Sequence, residues 1–294
     1  MDTIQRIAVV GAGFMGSGIA QVCAQAGYTV ALIDTSSAQL SRARRSIEWS
    51  VVKLESKALL DETAAKVLER IATSGELDAA RDADLVVEAV FEDVDAKLGV
   101  FRVLDDLCGP DAILGSNTST IPITRLASAT RRPERVIGVH FFGPVPLMRL
   151  VEIIPHAGTK ETVVEATVAF GRAVGKNPIV VKKDIPGFLM NRIFGVMACE
   201  AIRLLEDGAG SIEDIDQGMC DGFNLRVGPL CIADLAGLDI ALNAFRVMHE
   251  LDPARIPAPP ALLEKLVRAG KFGAKSGEGF YRWAENGKRM GPAF

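Results

Sequence analysis

Residues 7–34, IAVVGAGFMGSGIAQVCAQAGYTVALID, decide how this chain begins to fold. The short unbroken apolar run at 7–10 suits a strand covered on both faces. It leads straight into GAGFMG, whose Gly11, Gly13 and Gly16 fit the pattern G-x-G-x-x-G. Residues 17–26 are good helix material that Gly27 stops, and a second apolar run at 28–33 ends in Asp34. Each part has a task in a strand, turn, helix and strand that hold a dinucleotide. Gly11 permits the tight turn, Gly13 lets a pyrophosphate approach the backbone, and Gly16 lets the helix pack on the strand. The helix N-terminus faces the phosphates, and Asp34 accepts hydrogen bonds from the adenosine ribose. A carboxylate there repels a 2′-phosphate, and Thr35, Ser36 and Ser37 bring no cation to offset it, so NAD is expected in preference to NADP.

Residues 36–73 depart from the simplest unit of this kind, because two helical runs broken near 60–61 stand where one crossover would do. Ser50 and Lys57, seven residues apart, are expected on one face of the first run, which by spacing alone reads as a solvated face. The α/β rhythm then resumes with a strand at 84–89, a helix at 92–107 and strands at 112–114 and 136–142. In an open parallel sheet the loops after such strands lie on the ligand side. Here they carry Glu92 and Lys97, then Asn117, Thr118 and Ser119, then His140. After the polar KKDIPG at 182–187 the chain turns helical, with runs at 188–206, 211–220, 228–250 and 260–269. The expected architecture is α/β: a Rossmann-like doubly wound N-terminal domain with an inserted helical pair (1–184), followed by an all-α C-terminal domain (185–294). The helical half is apolar along more faces than a small bundle needs.

One stretch reads as acid–base machinery. In GVHFFGPVPLMRLVEIIP, 138–155, Gly143, Pro144 and Pro146 separate two β-prone runs, so the chain is expected to double back, and an antiparallel return could bring Glu152 beside His140; the other reading of the pair is a core histidine and an edge-strand charge. A carboxylate on one imidazole nitrogen fixes the tautomer and lets the other take a proton from a substrate hydroxyl. The other two histidines, His156 in a loop and His249 near a helix end, read as surface or helix-end residues.

Composition removes several alternatives. A net charge of −4 without any Lys/Arg block argues against nucleic acid or an anionic membrane as partner. The five cysteines are scattered, with no CxxC and no zinc pattern, so no metal is expected and the thiols read as reduced and cytoplasmic. No apolar stretch is long enough to span a bilayer, and the N-terminus has no leader-like pattern.

Taken in order, GAGFMGSGIA, EAVFED, SNTST, VHFFGPVPLMRLVEII, KDIPGFLMNRI, GPLCIADLAGLD and GAKSGEGFY resemble the signature segments of the short-chain L-3-hydroxyacyl-CoA dehydrogenases, which include the 3-hydroxybutyryl-CoA dehydrogenases. The resemblance spans essentially the whole chain. It implies that His140 is the catalytic base, Glu152 its orienting carboxylate, and Ser119 and Asn191 the polar groups at the substrate's reacting end. It makes Asp34, Glu92, Lys97 and Asn117 cofactor residues, and it places Ser50 and Lys57 where the family touches the CoA nucleotide. It also implies an acyl-CoA substrate, NAD as cofactor, and a homodimer formed through the C-terminal domain. Two departures stand out: His140-Phe141-Phe142-Gly143-Pro144 replaces the family's common HFFNP, and Leu225-Arg226-Val227 precedes Gly228-Pro229 where many members carry a proline. Two other readings stay open here. One is a dehydrogenase of a free 3-hydroxy acid, as in the gulonate and carnitine dehydrogenase branches; the other is a non-catalytic NAD-binding protein.

Overall fold

The apolar run before the glycine turn forms β1 (Arg6–Val10), which passes directly into α1 (Phe14–Gln25) and returns along β2 (Thr29–Ile33). α1 starts three residues before the expected 17–26, because Gly13 in extended conformation serves as its N-cap and Phe14 is already helical. The computed structural model describes residues 4–294. It separates into two units, Met1–Ile185 and Pro186–Phe294.

In the first unit, α2 (Ser37–Glu55) is capped by the Ser36 hydroxyl, and α3 (Ala64–Glu69) by that of Thr63. The chain then makes β3 (Ile71–Ser74), a strand that the sequence reading folded into its helical stretch. β3 sits at the sheet edge beside β2, and of its four residues only Ile71 is buried. It therefore shows neither an apolar run nor an alternation, and its pairing with β2 alone makes it a strand. β4 (Leu85–Glu88), α4 (Val94–Leu107), β5 (Ile113–Ser116), α5 (Ile123–Ala127) and β6 (Val136–Phe141) continue the parallel series. β7 (Leu150–Pro155) returns antiparallel to β6, and α6 (Glu161–Ala173) leads into β8 (Asn177–Val180), parallel to β7.

The eight-stranded sheet has the order β3-β2-β1-β4-β5-β6-β7-β8. Every residue of β4, β5 and β6 is buried, as expected for central parallel strands covered on both faces. The order reverses between β1 and β4, and in such a sheet the crevice beyond the carboxyl ends of the strands at that point takes the ligand.

The second unit is helical: α7 (Met190–Glu206), α8 (Ile212–Phe223), α9 (Pro229–Ala236), α10 (Leu238–Leu251) and α11 (Ala261–Arg268). Residues 228–250, expected as one helix, are two, because Gly237 adopts φ 97° and interrupts the ladder. A small antiparallel ribbon, β9 (Tyr281–Trp283) and β10 (Arg289–Pro292), adds to the all-α expectation. The ribbon is anchored on a buried acid of α9: Asp234 accepts from Phe280 N, Tyr281 N and Trp283 Nε1, each at 2.9 Å. A Cβ on Gly279 would lie 2.1 Å from Asp234 Oδ1, which explains the glycine in GEGFY. Asp216 of α8 is held likewise, by Leu230 N, Cys231 N and the Tyr281 hydroxyl at 2.8, 2.9 and 2.8 Å.

Candidate active site

The glycine turn has the geometry that its three glycines require. Gly11 adopts φ 104° and donates its N–H to Ile33 O at 2.7 Å. A Cβ on it would come within 2.5 Å of Ala89 O, and one on Gly16 within 1.8 Å of Gly11 O. Gly13 differs: a Cβ there would meet nothing within 4 Å, so its missing side chain leaves open space, as the approach of a pyrophosphate requires. Asp34 is tied into the same turn, accepting from Ala12 N and Ser36 N at 2.8 Å each. Among the described residues no ion pair forms at Asp34, and Arg42 turns back to Ala38 O of its own helix. These residues fit an NAD moiety.

β6 runs parallel to β5, β4 and β1, so its carboxyl end, with His140, lies at the same edge of the sheet. The antiparallel register sets Glu152 directly opposite His140, on one face of the sheet. His140 Nδ1 lies 2.8 Å from Glu152 Oε2, and the two side chains are 6% and 0% exposed. The bend that follows closes on the glycine turn: a Cβ on Gly143 would lie 2.6 Å from Phe14 Cε1 and 3.3 Å from Met15 Sδ. Gly143 does not take a positive φ, so the backbone would accept a side chain there, but only if the exposed Phe14 ring moved aside.

The loops after β4 and β5 are joined by a buried charge cluster. Lys97 Nζ lies 2.7 Å from Glu88 Oε1 and 3.3 Å from Glu92 Oε2, with Lys97 and Glu88 fully buried and Glu92 26% exposed. Glu88 also accepts from the Ser116 hydroxyl at 2.6 Å and from Val90 N at 2.7 Å. Glu92 in turn accepts from the Thr118 hydroxyl, Ser119 N and Thr120 N at 2.5, 2.9 and 3.1 Å, so it shapes the loop that presents Ser119. Burial alone would raise the Glu92 carboxyl, but Lys97 and these donors outweigh it and hold it below the usual range. Asn117 caps the neighbouring strand, its Oδ1 accepting from Phe141 N at 2.8 Å. Sequence reasoning missed Glu88. The available signal was a lone acid closing the apolar run DLVVE, which marks a strand end that needs a buried cation.

Other expected residues lie elsewhere. α2 ends at Glu55, so Lys57 is exposed in the turn beyond it and does not share a helix face with Ser50. Ala58, with φ 53°, completes the reversal. The Ser50 hydroxyl faces α1 and accepts from Gln21 Nε2 at 3.0 Å. Asn191 occupies the first turn of α7 in the second unit. His156 bonds Pro133 O at 2.8 Å and His249 bonds Ile256 O at 2.7 Å, so both serve local structure. No cluster of three or more His, Cys, Asp or Glu side chains suited to a metal occurs among the described residues.

A doubly wound sheet with a glycine turn, an acid held in that turn at the end of the second strand and a histidine–carboxylate pair at one edge defines a dinucleotide-dependent oxidoreductase class. Residues 6–185 match the family model described as 3-hydroxyacyl-CoA dehydrogenase, NAD binding domain, and residues 187–283 match the corresponding C-terminal domain. The chain is 42% identical over 285 residues to a probable 3-hydroxybutyryl-CoA dehydrogenase of Bacillus subtilis, covering 96% of this chain and 98% of that one. It is also 42% identical to the human mitochondrial hydroxyacyl-coenzyme A dehydrogenase, covering 95% and 91%. Among solved structures, the (S)-3-hydroxybutyryl-CoA dehydrogenase of Ralstonia eutropha superposes with a TM-score of 0.90 at 40% identity, covering 96% of this chain and all of that one. The chain belongs to the 3-hydroxyacyl-CoA dehydrogenase family.

Proposed function

We propose that this protein catalyses the reversible, NAD-dependent oxidation of (S)-3-hydroxyacyl-CoA thioesters, with 3-hydroxybutyryl-CoA as the reference substrate. The observation that carries the reading is the His140–Glu152 pair, 2.8 Å apart, on the sheet edge whose glycine turn touches the bend after His140. A carboxylate partner makes Nδ1 the donating nitrogen, so Nε2 takes the proton of the C3 hydroxyl during oxidation and returns it during reduction. Glu152 holds the ring in place and stabilises the imidazolium formed in that step. Ser119, on the loop held by Glu92, donates to the substrate oxygen as its charge changes. For Asn191 the same role rests on the motif KDIPGFLMNRI. Gly11, Gly13, Gly16, Asp34, Glu92 and Asn117 hold the cofactor, and Lys97 acts there through Glu92. Bound NAD supplies the hydride acceptor at C4 of its nicotinamide.

Lys57 is proposed to meet the CoA phosphates; Ser50, turned toward α1, serves chiefly to hold the helix that leads to it. A homodimer through the second unit is supported by exposed apolar side chains on its helices, among them Ile193, Phe223, Leu235 and Ile240. Light scattering on the purified chain tests it. A cytoplasmic location is proposed from the five free cysteines, four of them buried. No helix of the described residues is long and apolar enough to cross a membrane.

The deciding experiment follows NADH oxidation with acetoacetyl-CoA and with free acetoacetate. Preference for the thioester by about two orders of magnitude in kcat/KM is expected. Equal or better use of the free acid would move the protein to the free-acid reading, and no turnover of either would leave only a binding role.

A further inference from the structure

Lys176 has no part in the chemistry above, yet it is a charged side chain only 6% exposed in the first unit. It lies in the turn between α6 and β8, and its Nζ donates to Val145 O at 2.5 Å and to Met148 O at 2.9 Å. Among the described residues no carboxylate pairs with it, and burial lowers its pKa below the usual lysine value.

Both carbonyls belong to residues 142–149, the loop that joins the strand of His140 to that of Glu152. Within the loop, Leu147 N and Met148 N both donate to Pro144 O, at 2.9 and 3.0 Å. Val145 is buried against α1 so closely that a Cβ on Gly18 would come within 2.9 Å of its own Cβ. At the far end, Asn177 N, next to Lys176, donates to Arg149 O at 2.6 Å. An irregular loop turns carbonyls inward that no strand ladder satisfies. A buried carbonyl without a donor is unfavourable, and so is a buried ammonium without acceptors. One lysine bridging two such carbonyls meets both needs, but only while the loop keeps this shape. A methionine would fill a similar volume without gripping anything, so packing alone does not account for the charge.

We infer that Lys176 is a positioning residue: by gripping the carbonyls of Val145 and Met148 it sets the loop that carries Gly143 and the exposed Leu147 after His140, and through that loop the shape of the acyl site. The inference rests on the reaction proposed above. Its test compares wild type, Lys176→Met and Lys176→Gln in NADH-linked reduction of acetoacetyl-CoA and its 2-methyl-branched analogue. NADH binding, melting temperature and hydrogen exchange of the loop amides are measured alongside. Lys176→Met should lower kcat by about tenfold or more and change the branched-to-unbranched kcat/KM ratio by about threefold or more. NADH affinity should stay within about twofold, and the loop amides should exchange faster. Lys176→Gln keeps a buried donor and should recover part of each loss. A lysine that served stability alone would lower the melting temperature and leave the substrate ratio unchanged. That result, or wild-type turnover in folded Lys176→Met, overturns the inference. Should Lys176→Met fail to fold, Lys176→Gln is read in its place, and a wild-type ratio there has the same force. A wild type that does not reduce acetoacetyl-CoA removes the proposed reaction and Lys176's place in it together, whereas an active wild type with indifferent variants removes only the latter.

Discussion

Each unit buries carboxylates, but the two units surround them differently. In the first, Glu152 meets His140, and Glu88 and Glu92 share Lys97, so each acid faces a group that can exchange a proton or carry a charge. In the second, Asp216 and Asp234 are held by backbone N–H groups, a tyrosine hydroxyl and an indole N–H. Burial with fixed donors makes a structural staple. Burial beside a titratable partner, at the ligand edge of a sheet, makes a candidate for chemistry. One carboxyl from each unit shows the effect of its surroundings. Glu92 is lowered because Lys97 and its donors outweigh burial, while Asp234 is raised because burial outweighs its three donors.

The largest effect is expected at His140. His140→Ala should lower kcat by about 10²- to 10⁴-fold while NADH binding and the melting temperature change little, because a proton acceptor is lost and the sheet is not. Glu152→Gln should fold and lose much of the rate. Steady-state kinetics beside calorimetry decides; wild-type turnover in folded His140→Ala would remove the assignment.

Asp234→Ala should do the reverse. It leaves three buried donors without an acceptor and should destabilise the second unit by about 3 kcal/mol or more, with kcat per folded molecule preserved. Chemical denaturation with active-site titration measures both. The pH dependence sharpens the same contrast. For Asp234, raised when folded, the folded state binds more protons than the unfolded one above the ordinary value of 3.8, so its contribution grows as pH falls toward that value. For Glu92, lowered when folded, the stabilisation is present above the ordinary value of 4.5 and is lost as pH falls below it. On acidification, hydrogen exchange should therefore rise first around residues 92–120, and Asp234→Asn should remove the opposing trend in the ribbon.

A smaller effect concerns the cofactor. Asp34 has no cation among its described partners, so NADH should exceed NADPH in kcat/KM by about tenfold or more, equivalent to about 1.4 kcal/mol. Comparable use of both cofactors would show that the acid does not face the ribose.

The smallest effect is expected at Lys57, a solvated charge beyond the end of α2. Lys57→Ala should raise KM for a CoA thioester by about two- to fivefold at low salt, less as salt screens the attraction, and should leave an N-acetylcysteamine thioester unaffected. A parallel rise for both thioesters would mean that the lysine acts through stability.

What the sequence determined by itself is local. The run 7–10, the three glycines, the helix and Asp34 are neighbours in the chain, so their spacing carries the turn, and the structure repeats it with Gly11 at positive φ and open space at Gly13. The doubling back at Gly143 and Pro144 is likewise written in residue types, and the antiparallel return was legible from it. Only the tertiary structure decided the rest. The β6–β7 register set His140 against Glu152 and not against a neighbour, since a slip of one residue would have turned the acid to the other face. β3 is a strand because β2 lies beside it, and Lys57 leaves the helix face of Ser50 because the helix stops at Glu55. Glu88 and Lys176 gain meaning only from partners nine and about thirty residues away, through bonds whose geometry no spacing encodes. The reason is physical: backbone propensity and side-chain period act over a few residues, whereas a buried charge is tolerated only where folding has already brought its partners to it.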